Sequence, residues 1–385
     1  MVHFMDSFEK WTESTNLFGK WNLPVSTIKT TTEFFRTGSR SLELFIGTGS
    51  NRLVKTLPVF QSSLSVAAGL YYIPNADGTV ESIFEFGNWE SFTYQNLVNH
   101  FASRLKIKQD NTLCVQLGSD PGSITFEQFN IDSAIPVTLT PYKWYHLGME
   151  VEYSIVEGDP CQVTVKMQIY VDEVKYEREL TLQGGIYQSE ESFPGLVESY
   201  IYPRTLTLGT PFVDKDRQGF GAKGSPVKYF YYDDLYVSDE FEGDLGIEVI
   251  NPIKNVVTGW SPTLGTNWED VYGITQKALP FIYREKGQSN LDKWDMEDIS
   301  GNKTIKAIQG VIIGSKNFPS VGTLKSLFNN DSNADGYFDN SPLVKTDCRD
   351  NYIESVEVPG DPPTIPVPWT TETINSLQFG VISEP

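Results

Sequence analysis

Two adjacent aspartates, Asp233 and Asp234, stand inside the aromatic run YFYYDDLYV, and Asp239, Glu240, Glu242 and Asp244 follow close behind. Clustered carboxyls can serve as the acid and base, or the acid and nucleophile, of glycosidic bond cleavage. That chemistry requires them to flank one linkage at roughly 5 to 9.5 Å. A strand over YFYYDDLYV sends Asp233 and Asp234 to opposite faces, so they cannot converge on one bond. The expectation is therefore structural. One aspartate ends near the outer face, and the other accepts backbone donors at a sheet end or holds a cation. No catalytic residue is assigned, and the protein is expected not to be an enzyme.

A second chemistry is cation binding. In NNDSNADGYFDNS, Asp331, Asn333 and Asp335 followed by Gly336 reproduce the first half of an EF-hand loop, with Asp339 at the ninth position. Oxygen side chains at alternate positions can wrap a hard cation, and the glycine permits the turn. The twelfth position, where a bidentate Glu belongs, is Pro342. Calcium on Asp331, Asn333, Asp335 and Asp339 is the one cofactor expectation, set against an ordinary polar loop of turn-forming residues.

A third chemistry is stacking. Trp89, Trp144, Tyr229, Tyr231 and Tyr232 could line a concave sheet face and stack on sugar rings, or instead fill the core or a protein interface. Histidines number three, His3, His100 and His146, too few for most metal or triad chemistry. His146 is expected on a polar strand face beside Glu150 and Glu152, in a surface ion pair. No G-x-S-x-G turn, P-loop or G-x-G-x-x-G fingerprint occurs, and GFGAKGS lacks the Walker spacing.

The elements that must position these residues are strands. In QVTVKMQIYV, Val163, Val165, Met167, Ile169 and Val171 alternate with Gln162, Thr164, Lys166, Gln168 and Tyr170. Period-two alternation marks a half-buried strand. Asp172–Glu173 then turn the chain, and VKYERELTLQ returns as the partner. YHLGMEVEY repeats the pattern, and RLKIKQDNTLCVQLG reads as another hairpin turning at Gln109–Asp110–Asn111. No segment before residue 250 makes a convincing amphipathic helix. Many short alternating strands with turn signals between them predict antiparallel sheets packed face to face.

The chain has 385 residues with 39% hydrophobic and 13% aromatic content, enough for two domains with cores of their own. A net charge of −20 excludes nucleic acid as a partner, since phosphate contact needs clustered Lys and Arg. No apolar stretch is long enough for membrane insertion. MVHFMDSFEKW lacks the basic and apolar regions of a signal peptide. Cys114, Cys161 and Cys348 are expected as reduced, buried thiols.

DSFEKW, TGSRSLEL, YKWYHLGMEVEY, VKMQIYVDEVKYERELTL and YFYYDDLYVSD, in this order, resemble the concanavalin A-like, laminin-G-type jelly rolls of bacteriophage structural proteins. FEGDLGIEVINPI, GWSPTLGTNWEDV and PWTTETINSLQFGV resemble the tail module that often follows. The resemblance implies an all-β chain: a jelly-roll sandwich over 1–242, a linker over 243–250 and a smaller C-terminal β-sandwich domain over 251–385. It implies a non-enzymatic virion structural protein on the particle surface, as capsid decoration or tail component, assembled in the host bacterial cytoplasm. Other virion proteins and further copies of the chain would be its partners. The alternative is a carbohydrate-binding adhesin for a host surface glycan. Laminarinase-type hydrolases share this architecture and carry Glu-x-Asp-x-x-Glu on one strand. Glu242, Asp244 and Glu248 come nearest, with one residue too many and glycines suited to a linker.

Overall fold

The computed structural model describes residues 1–9, 21, 28–46, 53–57, 61–76, 80–87, 101–119, 125–126, 130–156, 161–185, 202–209, 225–263, 266, 282–283, 291–314, 323–329, 351–357 and 369–384. The chain divides into two compact units, the first running in essence to Ile247 and the second from Glu248 to Pro385.

In the first unit the alternating segments pair into two sheets. Among the described residues the larger is 9-stranded. Its path runs β2 (Ile28–Thr31), β3 (Ser41–Phe45), β15 (Val227–Ser238), β5 (Ser63–Pro74), β11 (Tyr145–Val156), β12 (Cys161–Val171), β13 (Val174–Gly185) and β9 (Thr125–Phe126), and β1 (Val2–Asp6) also pairs with β15. The other is 6-stranded, in the order β10 (Asn130–Thr138), β8 (Thr112–Ser119), β7 (Phe101–Lys108), β6 (Val80–Gly87), β14 (Thr205–Leu208) and β4 (Leu53–Thr56). Neighbours on both paths are antiparallel.

Apolar side chains of the two sheets pack against each other. Leu147, Met149 and Val151 on β11, with Val163, Val165, Met167 and Ile169 on β12, are fully buried, as are Phe84, Phe86, Leu105, Val115 and Leu117 of the smaller sheet. Each such side chain contributes about 1.5–3 kcal/mol through removal from water. Two hydroxyls cross the core: Tyr232 Oη donates to the Ile83 carbonyl at 2.8 Å and Tyr153 Oη to Ser103 Oγ at 2.9 Å. The β12–β13 hairpin turns at Asp172–Glu173, as the alternation predicts. Both residues are left-handed, with φ of 46° and 70°, which matches the twist of the flanking strands at some steric cost for non-glycine residues.

The second unit is also built of strands. β16 (Pro252–Thr258), β19 (Leu291–Met296), β23 (Gln378–Glu384) and β21 (Thr323–Asn329) form a 4-stranded sheet in that order. β17 (Ser261–Pro262) pairs with β18 (Ile282–Tyr283), and β20 (Ile308–Gly314) with β22 (Asn351–Glu357). Among the described residues a short helix, α1 (Thr371–Asn375), starts where Thr370 accepts from the Thr373 amide and buries Ile374 with Trp369 and Leu377. The all-β class expected from the alternation holds.

Candidate functional site

β15, β5 and β11 run side by side, and their outward side chains fall into cross-strand rows. In the first row Tyr231 stands opposite Tyr71, and Trp144, just ahead of β11, packs on Tyr71 with ring centroids 5.6 Å apart. Phe34 lies 5.1 Å from Tyr71 and 4.9 Å from Tyr231, while Tyr229 continues the surface 6.1 Å from Tyr231 and 5.1 Å from Phe45. Tyr71 and Tyr231 form the buried floor; Phe34, Phe45, Trp144 and Tyr229 are half-buried over it. Phe35 at 42% and Tyr142 at 61% are openly exposed. Burial raises the phenol of Tyr231, with Glu43 adding to the effect, so it stays a neutral hydroxyl donor. Lys228 places its amine over the Tyr229 ring.

The second row is polar. Asp233 stands opposite Gly69, and Gly69 opposite His146. Gly69 has no side chain, and Arg36 fills the space: a Cβ there would lie 2.6 Å from Arg36 Cδ. The guanidinium bonds Asp244 and reaches Asp234 at 3.7 Å. Asp233 Oδ2 accepts from the Arg36 and Thr37 amides at 2.7 and 3.0 Å. Asp234 accepts from Thr37 Oγ1 at 2.8 Å and from the Ile247 amide at 2.9 Å.

The two aspartates therefore meet one turn, where alternation sends them to opposite faces. The correction has a local cause. β15 carries a bulge between Asp233 and Tyr236, with Asp234 left-handed at φ 48°, and a bulge re-aims side chains. Burial, reinforced by Asp234, pushes the Asp233 carboxyl up to about 7, and burial also raises Asp234 against its hydrogen bonds.

His146 is likewise corrected. It is 2% exposed, not paired at the surface beside Glu150 and Glu152. The segment Asp239–Ile247 crosses above it. Phe241 stacks on Tyr170 with centroids 3.7 Å apart and an interplanar angle of 8°, and its amide donates to Glu150 Oε2 at 2.9 Å. Tyr236 Oη donates to the Gly243 carbonyl and accepts from the Glu242 amide. Glu242 thus belongs to this strap, while Glu248 pairs with Lys303 in the second unit; the acidic run is a connection, not an array along a strand.

Of the aromatics singled out from sequence, Trp144, Tyr229 and Tyr231 come together. Tyr232 does not: it faces inward, fully buried, bonded to Ile83. Trp89 and the loop with Asp331, Asn333, Asp335 and Asp339 lie outside the described residues, and among the described residues no acidic, histidine or cysteine cluster is arranged to hold a metal.

Sequence reading missed two features. Phe34 and Tyr71 join the aromatic surface from segments whose own pattern gives no sign of it. A polar row also crosses the outward face of the smaller sheet, with Glu85, Arg104, Gln116 and Asp132 aligned across β6, β7, β8 and β10. Arg104 bonds Glu85 and Gln116, Lys106 donates to the same Gln116 oxygen at 3.0 Å, and Gln116 donates to Asp132 at 2.9 Å. These bonds offset the desolvation of charges otherwise costly to bury and fix the register of four strands. The alternation of Arg104, Lys106 and Lys108 in RLKIK was the available signal.

No protein-family model and no curated protein matches the chain. Solved structures do. An alginate lyase from Aplysia kurodai is 14% identical, with a TM-score of 0.40 over 62% of this chain and 100% of its own. An alginate lyase from a Chlorella virus is 10% identical, with a TM-score of 0.42 over 62% and 100%. An endo-β-1,4-glucuronan lyase from Trichoderma reesei is 9% identical, with a TM-score of 0.39 over 63% and 97%. The expectation of a virion structural protein is corrected by these matches, which are to polysaccharide lyases and, at 9% identity with a TM-score of 0.28 over 56% of this chain and 90% of its own, to a legume lectin-like domain from Entamoeba histolytica.

Proposed function

We propose that the first unit binds a polysaccharide through the aromatic surface on the outward face of its larger sheet. The observation that carries this reading is the assembly of Trp144, Tyr229 and Tyr231, distant in sequence, with Tyr71, Phe34 and Phe45 away from the core. Flat apolar rings stack on the C–H faces of pyranoses, and flanking hydroxyls and amines, here Tyr142, Lys143 and Lys228, can bond sugar hydroxyls. The reading is binding, without glycoside hydrolysis by this carboxyl pair, because Asp233 and Asp234 spend their oxygens on backbone amides and Thr37 rather than flanking an open linkage.

Affinity electrophoresis of the chain against soluble neutral and acidic polysaccharides tests the reading. At least one polymer should retard the protein, and Trp144→Ala or Tyr229→Ala should weaken that retardation about tenfold, as loss of a stacking ring would. Retardation by none of the polymers, or unchanged retardation in both variants, would remove this surface as a glycan site. Release of shortened or unsaturated products would replace binding with turnover.

A further inference from the structure

We propose that His146 is the proton switch of a latch, its protonation releasing the strap Asp239–Ile247 from the outward face of the larger sheet. The strap is held at defined points. Phe241 lies on Tyr170 and over Gly148, where a Cβ would sit 2.6 Å from the ring. The amides of Phe241 and Ile247 donate to Glu150 and Asp234, Tyr236 grips Glu242 and Gly243, and Asp244 pairs with Arg36.

Beneath these contacts lies an imidazole that bonds to nothing. Both ring nitrogens of His146 are buried without a hydrogen-bond partner, and the Phe241 ring covers it at 5.6 Å. Glu173 Oε1 is 3.5 Å from Nδ1 and Asp244 Oδ1 3.9 Å from Nε2, at or beyond the limit of a direct bond. Two of the acidic residues around it, Asp172 and Glu173, form the left-handed turn between β12 and β13.

The groups facing this ring set the direction of the switch. Burial lowers its proton affinity and Arg36 adds to that, against the upward pull of Asp244, Glu173 and Asp172; burial wins. A neutral ring is tolerated under the strap, and a charged one calls for water. The latched state thus gains stability above the ordinary imidazole value of about 6.5, which is lost as pH falls through the depressed value. Asp233 and Asp234 act oppositely, because burial makes them hold protons to higher pH. Glu150 faces the strap through the Phe241 amide and His3 meets Asp239 at its start.

Hydrogen exchange of the full chain, followed by mass spectrometry and corrected for intrinsic rates, reads the latch directly. Peptides covering 239–247 should open several-fold more readily at about pH 5.5 than at about pH 7.5, an interval bracketing the ordinary imidazole value. The midpoint in the unmodified protein should coincide with titration of the His146 ring by nuclear magnetic resonance. His146→Gln should abolish the dependence, and His3→Gln and Asp234→Asn should keep it. Exchange of the strap that does not change with pH would overturn the proposal. So would a midpoint away from the His146 titration, or a dependence that follows His3 or Asp234 instead.

Discussion

Gly148 shows how one residue's absence of side chain shapes the outward face. It sits at a polar-face position of the alternation in YHLGMEVEY, where any small or polar residue would serve an open sheet. Its requirement for glycine comes from Phe241, whose ring occupies the space a Cβ would take. Gly148→Ala should push the ring off Tyr170 and cost about 1–3 kcal/mol, the usual range for overpacking, measurable as a lower urea midpoint. Asp233 carries a pH-dependent effect of the opposite hydrogen-ion sense to His146. Its carboxyl is raised from 3.8 to about 7 by burial and by Asp234. Its contribution to stability is complete below the ordinary value and fades as pH rises through about 7. Thermal unfolding should show a margin at pH 5 over pH 8 that shrinks in Asp233→Asn, each kcal/mol being worth about 2–4 °C at this size. The sequence marked Asp233 as a residue needing partners; its neighbours at Arg36 and Thr37 are far along the chain and left no trace in the local pattern.

At the scale of elements, β15 does most to organise the site. From Tyr229 to Tyr232 it alternates, so Phe230 and Tyr232 enter the core while Tyr229 and Tyr231 face out. The bulge after Asp233 then turns the strand and lets the chain fold back as the strap. Tyr236, beyond the bulge, ties that return with its hydroxyl. Tyr236→Phe leaves the Gly243 carbonyl and the Glu242 amide without this partner and should cost about 1–2 kcal/mol. It should raise exchange in 239–247 selectively, leaving the β11–β12 pair protected. Hairpins were legible from sequence because their turns and alternation are local: the β7–β8 and β12–β13 turns fall where Asn111 and Asp172–Glu173 take left-handed backbone. The bulge was not legible, since it depends on the pairing of β15 with β5, strands more than a hundred residues apart.

At the scale of the whole molecule, the polysaccharide surface predicts a separation of binding from folding. Trp144→Ala and Tyr229→Ala remove half-buried outward rings, so affinity should fall about tenfold while the unfolding midpoint moves little. Tyr232→Ala should do the reverse, destabilising by about 3–5 kcal/mol as a buried aromatic lost from the core. Side-chain period alone determined that this protein is built of antiparallel strands with one buried face, because a pleated strand alternates its side chains whatever its neighbours are. Sequence also marked the aromatics and carboxyls as the residues worth watching. Only the tertiary structure decided which of them meet: strand order places Tyr231 beside Tyr71 and Gly69 between Asp233 and His146, and the returning strap buries an imidazole that local pattern puts at the surface. These are contacts between segments far apart in the chain, set by register and by the shapes left vacant at glycines, and no local sequence period encodes them.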